Sequence, residues 1–427
     1  MRNSLVILFL LSCCIPSFAQ KPVYNELEFN VGPYELPTLF KKEPANKEEM
    51  RNTWEKKRRA YLLKLFKDNM YGQFPRKPKT MRIELQHSNP QALQGKATSK
   101  QVRCYFSKAD SSVYMDVIIY IPNHLAQPAP VFMGLNFKGN HTIHNDPDII
   151  ISKRNKDLLL LNKDNGKTDP NLRGTQAERW ELEHAMAKGY AVATAYYGDL
   201  ELDHAEGWKQ SLRSKISKEL GLKPQDWAAL SVWAWGLSRI VDYLETEDRI
   251  DASRILVTGH SRLGKAAIWA GANDTRIAAV ISNNSGEGGA ALSRRWFGET
   301  IHRINTSFPH WFVEKYKFYN NRPYLLPFDQ HMLLALVAPR PLYVASATED
   351  LWADPLGEFL SAQLTEPIYN SYGLRGLQGV SFPAPDTPVG HVVHYHRRTG
   401  KHNILLYDWQ QYIAFADQYV IAKPEGQ

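Results

Sequence analysis

The stretch from residue 254 to residue 265, RILVTGHSRLGK, constrains the fold of this chain more than any other segment. Residues 255–257 are a short apolar, β-favouring run, which is typical of a central strand buried on both faces. Gly259 ends the run, Ser261 lies at the turn, and small and apolar residues then recur at helical spacing. This order predicts a nucleophile elbow, in which a serine hydroxyl projects above a sheet beside the free N–H groups that open a helix.

The elbow departs from the usual G-x-S-x-G pattern because the second glycine, Gly264, comes one position late. Two interpretations of Ser261 therefore stay open on the motif alone. The serine is either a nucleophile or only the N-cap of a helix that follows a strand, since serine is common at N-caps. The rest of the chain has to decide between them.

The N-terminal segment, MRNSLVILFLLSCCIPSFAQ, has the pattern of a secretory signal peptide. Arg2 precedes an apolar run, and the small residues before Gln20 favour cleavage after Ala19. Cleavage before Cys13, as in a lipoprotein, is the alternative and would leave a lipid anchor. We therefore expect a secreted or periplasmic protein, free or anchored through Cys13. No other segment is apolar enough and long enough to span a bilayer.

Cysteine usage and charge argue against several classes of protein. Cys13 and Cys14 lie in the leader, so the mature chain keeps Cys104 alone and has no internal disulfide. Cys104 lies in an alternating, strand-like run, which argues against a cysteine nucleophile. The net charge of +8 arises from 52 Lys and Arg interspersed with 44 Asp and Glu. Because these basic residues form no stripe, binding to nucleic acid is not expected.

The remaining segments follow the pattern of an α/β protein. Residues 47–71 carry apolar side chains at helical spacing and predict a helix. The runs MRIELQH, QVRCYF and YMDVIIYIP predict strands at the antiparallel edge of a mixed sheet. From residue 130 onward, strands followed by polar loops alternate with helices. The pattern predicts parallel strands with a functional site at their carboxyl ends, where the loop GDLELDH also lies.

The chain shows no internal repeat and no low-complexity linker, which favours a single catalytic domain after an N-terminal extension. We expect a signal peptide over residues 1–19, an extension over 20–110 that packs on the catalytic domain, and the catalytic domain over 111–427. Residues 150–175 are polar and are expected to form an insertion. The loop that ends PVFMGLNFKGNHT either supplies a second oxyanion donor or is an ordinary strand exit.

Acids and histidines follow Ser261 in loops that come after successive strands. The acids are Glu287, Glu349, Asp350 and Asp354, and the histidines are His391, His394, His396 and His402. A serine hydroxyl becomes nucleophilic when a neutral imidazole takes its proton and a carboxylate orients that imidazole. His402 precedes the last helix, where such a fold requires its histidine. The four histidines could alternatively bind zinc, but they lack the usual zinc-enzyme spacing.

Five segments together resemble the bacterial glucuronoyl esterases of carbohydrate esterase family 15: NFKGNHT, GHSRLGK, SGEGGAALSRRWFGE, SATEDLWADP and RRTGKHNILLYDW. They occur in the order of that family, and a serine followed directly by arginine is the elbow of that family. The resemblance covers residues 45–420, approximately. It implies an α/β-hydrolase fold, with a mostly parallel central sheet flanked by helices in a three-layer sandwich.

The resemblance also implies roles for individual residues. Ser261 would be the nucleophile, His402 the general base, and Arg262 a donor to the oxyanion. The contacts to the glucuronoyl sugar would come from Lys265, Glu299 and Trp352. From the residues alone, Glu299 is also compatible with a charge on a helix surface and Trp352 with a core position.

The triad acid has two expected places in this family, each after one of two strands that follow the elbow helix. At the earlier place this chain has Asn284, which cannot be the anion. Asp350, at the later place, is therefore the expected acid, and Glu287 is held in reserve.

These expectations describe a secreted serine esterase, a 4-O-methyl-glucuronoyl methylesterase. It would cleave the ester between 4-O-methyl-D-glucuronic acid on glucuronoxylan and a lignin alcohol through an acyl-enzyme. We expect no cofactor, no metal, no membrane span and no nucleic-acid partner; the partners would be glucuronoxylan and lignin–carbohydrate esters, and the protein a monomer. One alternative is an acetyl xylan esterase or other carbohydrate esterase on the same fold. The second is a catalytically silent, exported glycan-binding protein.

Overall fold

The computed structural model describes residues 24–151 and 170–422. The expected signal peptide over residues 1–19, the alternative anchor at Cys13 and most of the expected insertion lie outside the described residues. Within these two ranges, no helix combines the length and the apolar character that crossing a membrane requires.

Ten strands of the described chain form one mixed sheet, in the order β1-β2-β3-β5-β4-β6-β7-β8-β10-β9. The strands are β1 Arg82–Ala92, β2 Ala97–Tyr105, β3 Tyr114–Pro122, β4 Ala129–Asn136, β5 Ala191–Tyr196, β6 Ile250–His260, β7 Ala279–Asn283, β8 Leu342–Ala347, β9 Val389–Gly390 and β10 Val393–Arg398. From β5 to β10 along this order the pairs are parallel, whereas β1, β2 and β3 add antiparallel strands at one edge and β9 at the other. The predicted antiparallel edge is confirmed.

Helices connect the strands and cover both faces of the sheet. The α-helices in the described ranges are α1 Lys47–Thr53, α2 Arg59–Phe66, α3 Leu182–Ala187, α4 Leu212–Ile216, α5 Ala229–Leu244, α6 Arg262–Asn273, α7 Ile301–Ser307, α8 Gln330–Ala335, α9 Pro355–Gln363, α10 Glu366–Ser371 and α11 Leu406–Ala416. Two π-helical segments, Trp54–Arg58 and Lys67–Tyr71, make the helical stretch continuous through α1 and α2. This stretch confirms the helix predicted over residues 47–71.

The alternation of side chains along β6 builds the two cores on which the elbow rests. Ile255 and Val257 point to the core that contains Trp233 of α5 and Trp269 of α6. Leu256, between them, points to the opposite core, which α3 and α11 cover. Because both faces are buried, this strand can consist of apolar residues without interruption. The predicted three-layer α/β-hydrolase fold is confirmed.

The N-terminal extension expected over residues 20–110 contributes β1 and β2 to the same sheet. β2 pairs with β3 along its full length, from Ala97 opposite Pro122 to Tyr105 opposite Tyr114. The expected boundary at residue 110 therefore lies between two hydrogen-bonded strands, and the sheet continues across it.

Candidate active site

Ser261 lies at the sharp turn between β6 and α6, where its φ is +57° and its ψ is −129°. Such a conformation is strained for a residue with a side chain and is typical of functional sites. A Cβ at Gly259 would clash with the carbonyl oxygen of Leu263, and a Cβ at Gly264 would lie 3.0 Å from the carbonyl oxygen of Gly259. The late glycine therefore still permits the close approach of helix and strand.

His402 and Asp350 form a hydrogen-bonded pair beside this turn. His402 Nδ1 lies 2.6 Å from Asp350 Oδ2, with the imidazole side chain 43% exposed and the carboxylate only 5% exposed. The His402 ring centroid lies 4.4 Å from that of His260, the residue before Ser261. Because Asp350 occupies Nδ1, Nε2 is the nitrogen left to accept a proton from a hydroxyl.

His260 supports His402 as a neutral neighbour. Its side chain is buried, and Nδ1 lies 2.6 Å from Asn283 Oδ1. Burial, reinforced by the nearby His402, lowers the pKa of His260 well below its ordinary value. A neutral imidazole at this position adds no positive charge beside the ring of His402.

Asn284 occupies the earlier of the two expected acid positions and supports the later one. Its Nδ2 donates a hydrogen bond of 2.6 Å to Asp350 Oδ2, the same oxygen that contacts His402. The backbone of Asn284 has φ +48°, in the left-handed region that asparagine tolerates. The amide therefore fixes the carboxylate that in turn fixes the imidazole.

Glu287, the reserve acid, lies in a different environment. Its Oε1 accepts hydrogen bonds from the Tyr316 hydroxyl at 2.7 Å and the Ser293 hydroxyl at 2.9 Å. Burial raises the pKa of Glu287 to about 8, although these two hydroxyls partly offset the shift. Another acid of the later loop, Asp354, pairs with Arg295 at 2.9 Å. The carboxylate that the structure brings to His402 is thus Asp350.

Arg262 follows the serine and projects over a wall of aromatic rings. Its guanidinium carbon lies 4.9 Å from the centre of the Trp311 ring and 5.4 Å from that of Phe308. One terminal nitrogen, Nη1, pairs with the carboxylate of Asp203, while the buried Nε has no hydrogen-bond partner within the described chain. An N–H donor is therefore available one residue after Ser261.

Asp203 is a site residue that the sequence analysis did not single out. Its side chain is 5% exposed and accepts hydrogen bonds from His310 Nε2 at 2.8 Å, Trp311 Nε1 at 2.7 Å and the Tyr197 hydroxyl at 3.1 Å. Burial alone would raise the pKa of Asp203, but these bonds and the charge of Arg262 lower it below its ordinary value. The available signal was its place in the loop GDLELDH after β5, at the edge where sites lie.

Lys265 and Glu299 bring opposite charges together near Arg262, and the Lys265 ammonium lies 5.8 Å from the centre of the same Trp311 ring. Lys265 is buried and its ammonium donates to the carbonyl oxygen of Ser285. Burial lowers the pKa of Lys265, and the charge of Glu299 opposes that shift. Burial likewise raises the pKa of Glu299, opposed by Lys265. Since Glu299 is only 8% exposed, it is not a charge on a helix surface.

Trp352 lies next to Glu299 at the rim. Its carbonyl oxygen accepts a hydrogen bond of 2.9 Å from the Glu299 N–H. The indole is partly exposed, and the guanidinium carbon of Arg303 lies 5.8 Å from the centre of the ring. Trp352 therefore belongs to the surface of the site and not to the core.

The remaining histidines have structural partners. His396 uses both ring nitrogens, at 2.9 Å from the Tyr343 hydroxyl and at 2.9 Å from Asp408. His394 lies on the same strand, with Nδ1 3.3 Å from the carbonyl oxygen of His391. Across residues 24–151 and 170–422, no group of three potential ligands could hold a metal ion.

The loop after β4 borders the site from a third direction. The Phe137 ring centre lies 6.2 Å from that of His260 and 6.0 Å from the guanidinium carbon of Arg262. The N–H of Gly139 donates to Asn136 Oδ1 at 2.8 Å and is therefore not free for an oxyanion. The aromatic ring of this loop, and not its glycine, reaches the elbow.

A strained serine between strand and helix, beside an imidazole that a buried carboxylate orients, defines a serine hydrolase of the α/β-hydrolase class. A family model described as glucuronyl esterase of fungi matches residues 205–373. The carbohydrate esterase MZ0003, from an unknown prokaryotic organism, is 44% identical over 414 residues, which cover 96% of this chain and 95% of that protein.

Two further comparisons narrow the class. A solved glucuronoyl esterase from Solibacter usitatus superimposes with a TM-score of 0.85 at 43% identity, covering 92% of this chain and all of that one. The 4-O-methyl-glucuronoyl methylesterase 1 of Phanerochaete chrysosporium is 37% identical over 161 residues, 36% of this chain and 34% of that protein. The chain belongs to the glucuronoyl esterases of carbohydrate esterase family 15.

Proposed function

We propose that this esterase hydrolyses the ester between the carboxyl group of 4-O-methyl-D-glucuronic acid, carried on glucuronoxylan, and an alcohol of lignin. The observation that carries the proposal is the 2.6 Å hydrogen bond between His402 and Asp350 beside the strained Ser261. The family membership supports the glucuronoyl group as the acyl part. The N-terminal leader supports export from the cell, and such polysaccharides are found outside it. The expected state of the protein is a monomer without a cofactor.

In the proposed acylation step, Ser261 Oγ attacks the carbonyl carbon of the uronate ester and its proton passes to His402 Nε2. The carbonyl oxygen becomes an oxyanion, and Asp350 stabilises the imidazolium that has formed. When the tetrahedral intermediate collapses, the bond to the alcohol oxygen breaks and the alcohol leaves with the proton from His402. Water then attacks the acyl-enzyme while its proton passes to His402. The bond to Ser261 Oγ breaks, the serine regains a proton from His402, and the glucuronic acid leaves with a free carboxyl group.

The oxyanion is stabilised by N–H groups that are fixed before the reaction begins. The first N–H groups of α6 have no partner within the helix, and the helix start carries a partial positive charge. The Arg262 side chain adds a full positive charge on the same side. Removal of one such donor typically lowers kcat by about a hundredfold to a thousandfold.

The acyl side of the site has the chemistry of a uronic acid pocket. The Lys265 ammonium and the Glu299 carboxylate can donate to and accept from sugar hydroxyls, and the exposed face of Trp352 can pack on the pyranose ring. We assign these three residues to the glucuronoyl group. The alcohol then departs on the side of His402, because the base has to protonate it.

The proposal is tested by comparing two substrates, methyl 4-O-methyl-glucuronate and acetylated xylan. We expect the purified protein to hydrolyse the methyl ester and to release little acetate. In Ser261→Ala, methyl ester turnover should fall by about 10⁴-fold or more. Release of acetate in preference to methyl glucuronate hydrolysis would favour an acetyl xylan esterase. Glycan binding without any ester turnover in the parent protein would favour a binding protein.

A further inference from the structure

Tyr24 places an exposed aromatic ring beside the sugar pocket. The centres of the Tyr24 and Trp352 rings are 5.6 Å apart at an angle of 52°, and Tyr24 is 51% exposed. Tyr24 precedes the sheet by more than fifty residues in the sequence, and no pattern in its segment indicates a role. Two adjoining aromatic rings at the rim of a pocket present a broader apolar surface than one uronate ring can cover.

The segment that carries Tyr24 is fastened to the loop that carries Glu299. Asn25, which is buried, forms an antiparallel bridge with Gly298, whose N–H donates to the Asn25 carbonyl at 2.6 Å. Glu28 pairs with the guanidinium of Arg295 at 2.6 and 3.0 Å. These contacts hold the position of Tyr24 relative to the pocket.

Gly298 makes this junction possible. It has φ +62°, and a Cβ at that position would clash with the carbonyl oxygen of Trp352. The backbones of residues 25, 298 and 352 therefore meet within contact distance, and the platform formed by Tyr24 and Trp352 is part of the fold of the pocket.

We propose that Tyr24 extends the glucuronoyl pocket into a subsite for a neutral pyranose of the polysaccharide that carries the glucuronic acid. The inference rests on the proposed function, which places the acyl group against Lys265, Glu299 and Trp352. Tyr24 touches Trp352, on the acyl side, whereas the alcohol leaves beside His402. The ring that Tyr24 meets therefore belongs to the carbohydrate, whose C–H faces pack on aromatic rings.

The test compares Tyr24→Ala with the parent protein on two esters, methyl 4-O-methyl-glucuronate and the methyl ester of a xylo-oligosaccharide that carries 4-O-methyl-glucuronic acid. We expect kcat/KM on the oligosaccharide ester to fall about fivefold, mostly through KM, because one stacking contact is lost. On the small ester kcat/KM should stay within about twofold of the parent value. Tyr24→Phe keeps the ring and should retain parent activity on both esters.

Phe29→Ala is the matched control, because Phe29 lies on the same segment and is 98% exposed. It should leave both substrates unchanged. Equal effects of Tyr24→Ala on the two esters, or an equal effect of Phe29→Ala on the oligosaccharide, would overturn the subsite while leaving the esterase function intact. A parent protein that does not hydrolyse the small ester would instead overturn the function and the subsite together.

A second observation concerns Asp203, whose carboxylate contacts Arg262 from a buried position with three further hydrogen-bond donors around it. We infer that Asp203 is a positioning residue that holds the Arg262 guanidinium for the oxyanion. While Nη1 is held by Asp203, the buried Nε–H of Arg262 has no partner within the described chain. A guanidinium held in place before the reaction needs no reorganisation when the oxyanion forms.

A double-mutant cycle tests this role, again on the basis of the proposed function. We expect kcat to fall about tenfold in Asp203→Asn and about a hundredfold in Arg262→Ala, with KM changed by less than about twofold in each. If Asp203 acts through Arg262, the double variant should match Arg262→Ala within about twofold. If the loss of kcat in the double variant equals the product of the two single losses, Asp203 has a separate structural role and the inference is overturned.

Asp203→Glu provides a second variant, which keeps the charge and displaces it by one methylene group. It should give a smaller loss of kcat that also disappears in the Arg262→Ala background. An Arg262→Ala variant with parent kcat would refute the oxyanion role of the arginine itself, a failure of the proposed mechanism that is distinct from the failure of Asp203.

Discussion

Two neighbouring loops of this enzyme each bury an acid, and only one of the acids faces His402. The loop after β8 presents Asp350 to the imidazole at 2.6 Å. The loop after β7 turns Glu287 inward, against the hydroxyls of Tyr316 and Ser293. In place of an acid, this earlier loop has Asn284, whose side-chain amide donates a hydrogen bond to Asp350.

The difference shows that the surroundings of a carboxyl group decide its task. Burial raises the pKa of Glu287 to about 8, so that this group is protonated at neutral pH and is not the anion that a triad needs. Asp350 instead receives two donors on one oxygen, from His402 and Asn284. Asn284 thus supports the carboxylate, and Asp350 is the acid that faces His402.

Replacement of Asp350 should have the largest effect on this comparison. We expect Asp350→Asn to lower kcat for methyl 4-O-methyl-glucuronate by about 10³- to 10⁴-fold, because the amide can no longer stabilise an imidazolium at His402. The change should appear in kcat more than in KM. A steady-state assay at neutral pH measures it, with circular dichroism to verify the fold. Parent-like turnover in this variant would move the acid to another residue.

Introduction of a second carboxylate at position 284 should have an intermediate effect. Asn284→Asp adds a negative charge next to Asp350 and close to His402, and negative charge favours the imidazolium. The acid limb of the profile of kcat/KM against pH should therefore move upward by about one unit. Asn284→Ala removes the donor without adding charge and should not move the limb upward. If the acid limbs of the Asn284→Asp and Asn284→Ala profiles superimpose, the expectation is contradicted.

The elbow and the sheet could be predicted from the sequence because their signals are local. The apolar run before Gly259 and the helical spacing after Ser261 lie within about twenty residues. The displaced glycine, Gly264, obscured the motif but not its geometry, since the contact with the strand is kept. The antiparallel edge formed by β1, β2 and β3 was predicted as well, but it crosses the boundary expected at residue 110.

The contacts around the site could not be predicted from the sequence, because they join residues that are far apart along the chain. Asp203 and Arg262 are 59 positions apart, and Tyr24 and Trp352 are separated by most of the chain. No periodicity links such residues, and one buried aspartate in an acidic loop looks like any other until its donors are placed around it. The choice between Asp350 and Glu287 likewise depended on which of these two buried carboxyl groups faces His402, and the residue type does not encode that.

Replacement of Glu287 should have the smallest effect on activity, and it tests the other half of the comparison. Because the group is protonated at neutral pH, Glu287→Gln resembles the native form and should keep kcat/KM within about twofold of the parent value. Stability should respond instead. An unfolded glutamate has a pKa of about 4.3, so between that pH and about 8 the unfolded chain has released a proton that the folded chain retains.

The free energy of unfolding of the parent should therefore fall as pH rises through this window, and the decline should be shallower in Glu287→Gln, which has no proton to release. Denaturant unfolding at pH 5, 6.5 and 8 measures the two slopes. The free energy of unfolding of the variant, relative to that of the parent, should increase at each step to higher pH. Glu358, whose pKa burial also raises to about 8, is present in both proteins and cancels in their difference. Parallel curves would mean that Glu287 is ionised in the folded state and would contradict the raised pKa of this group.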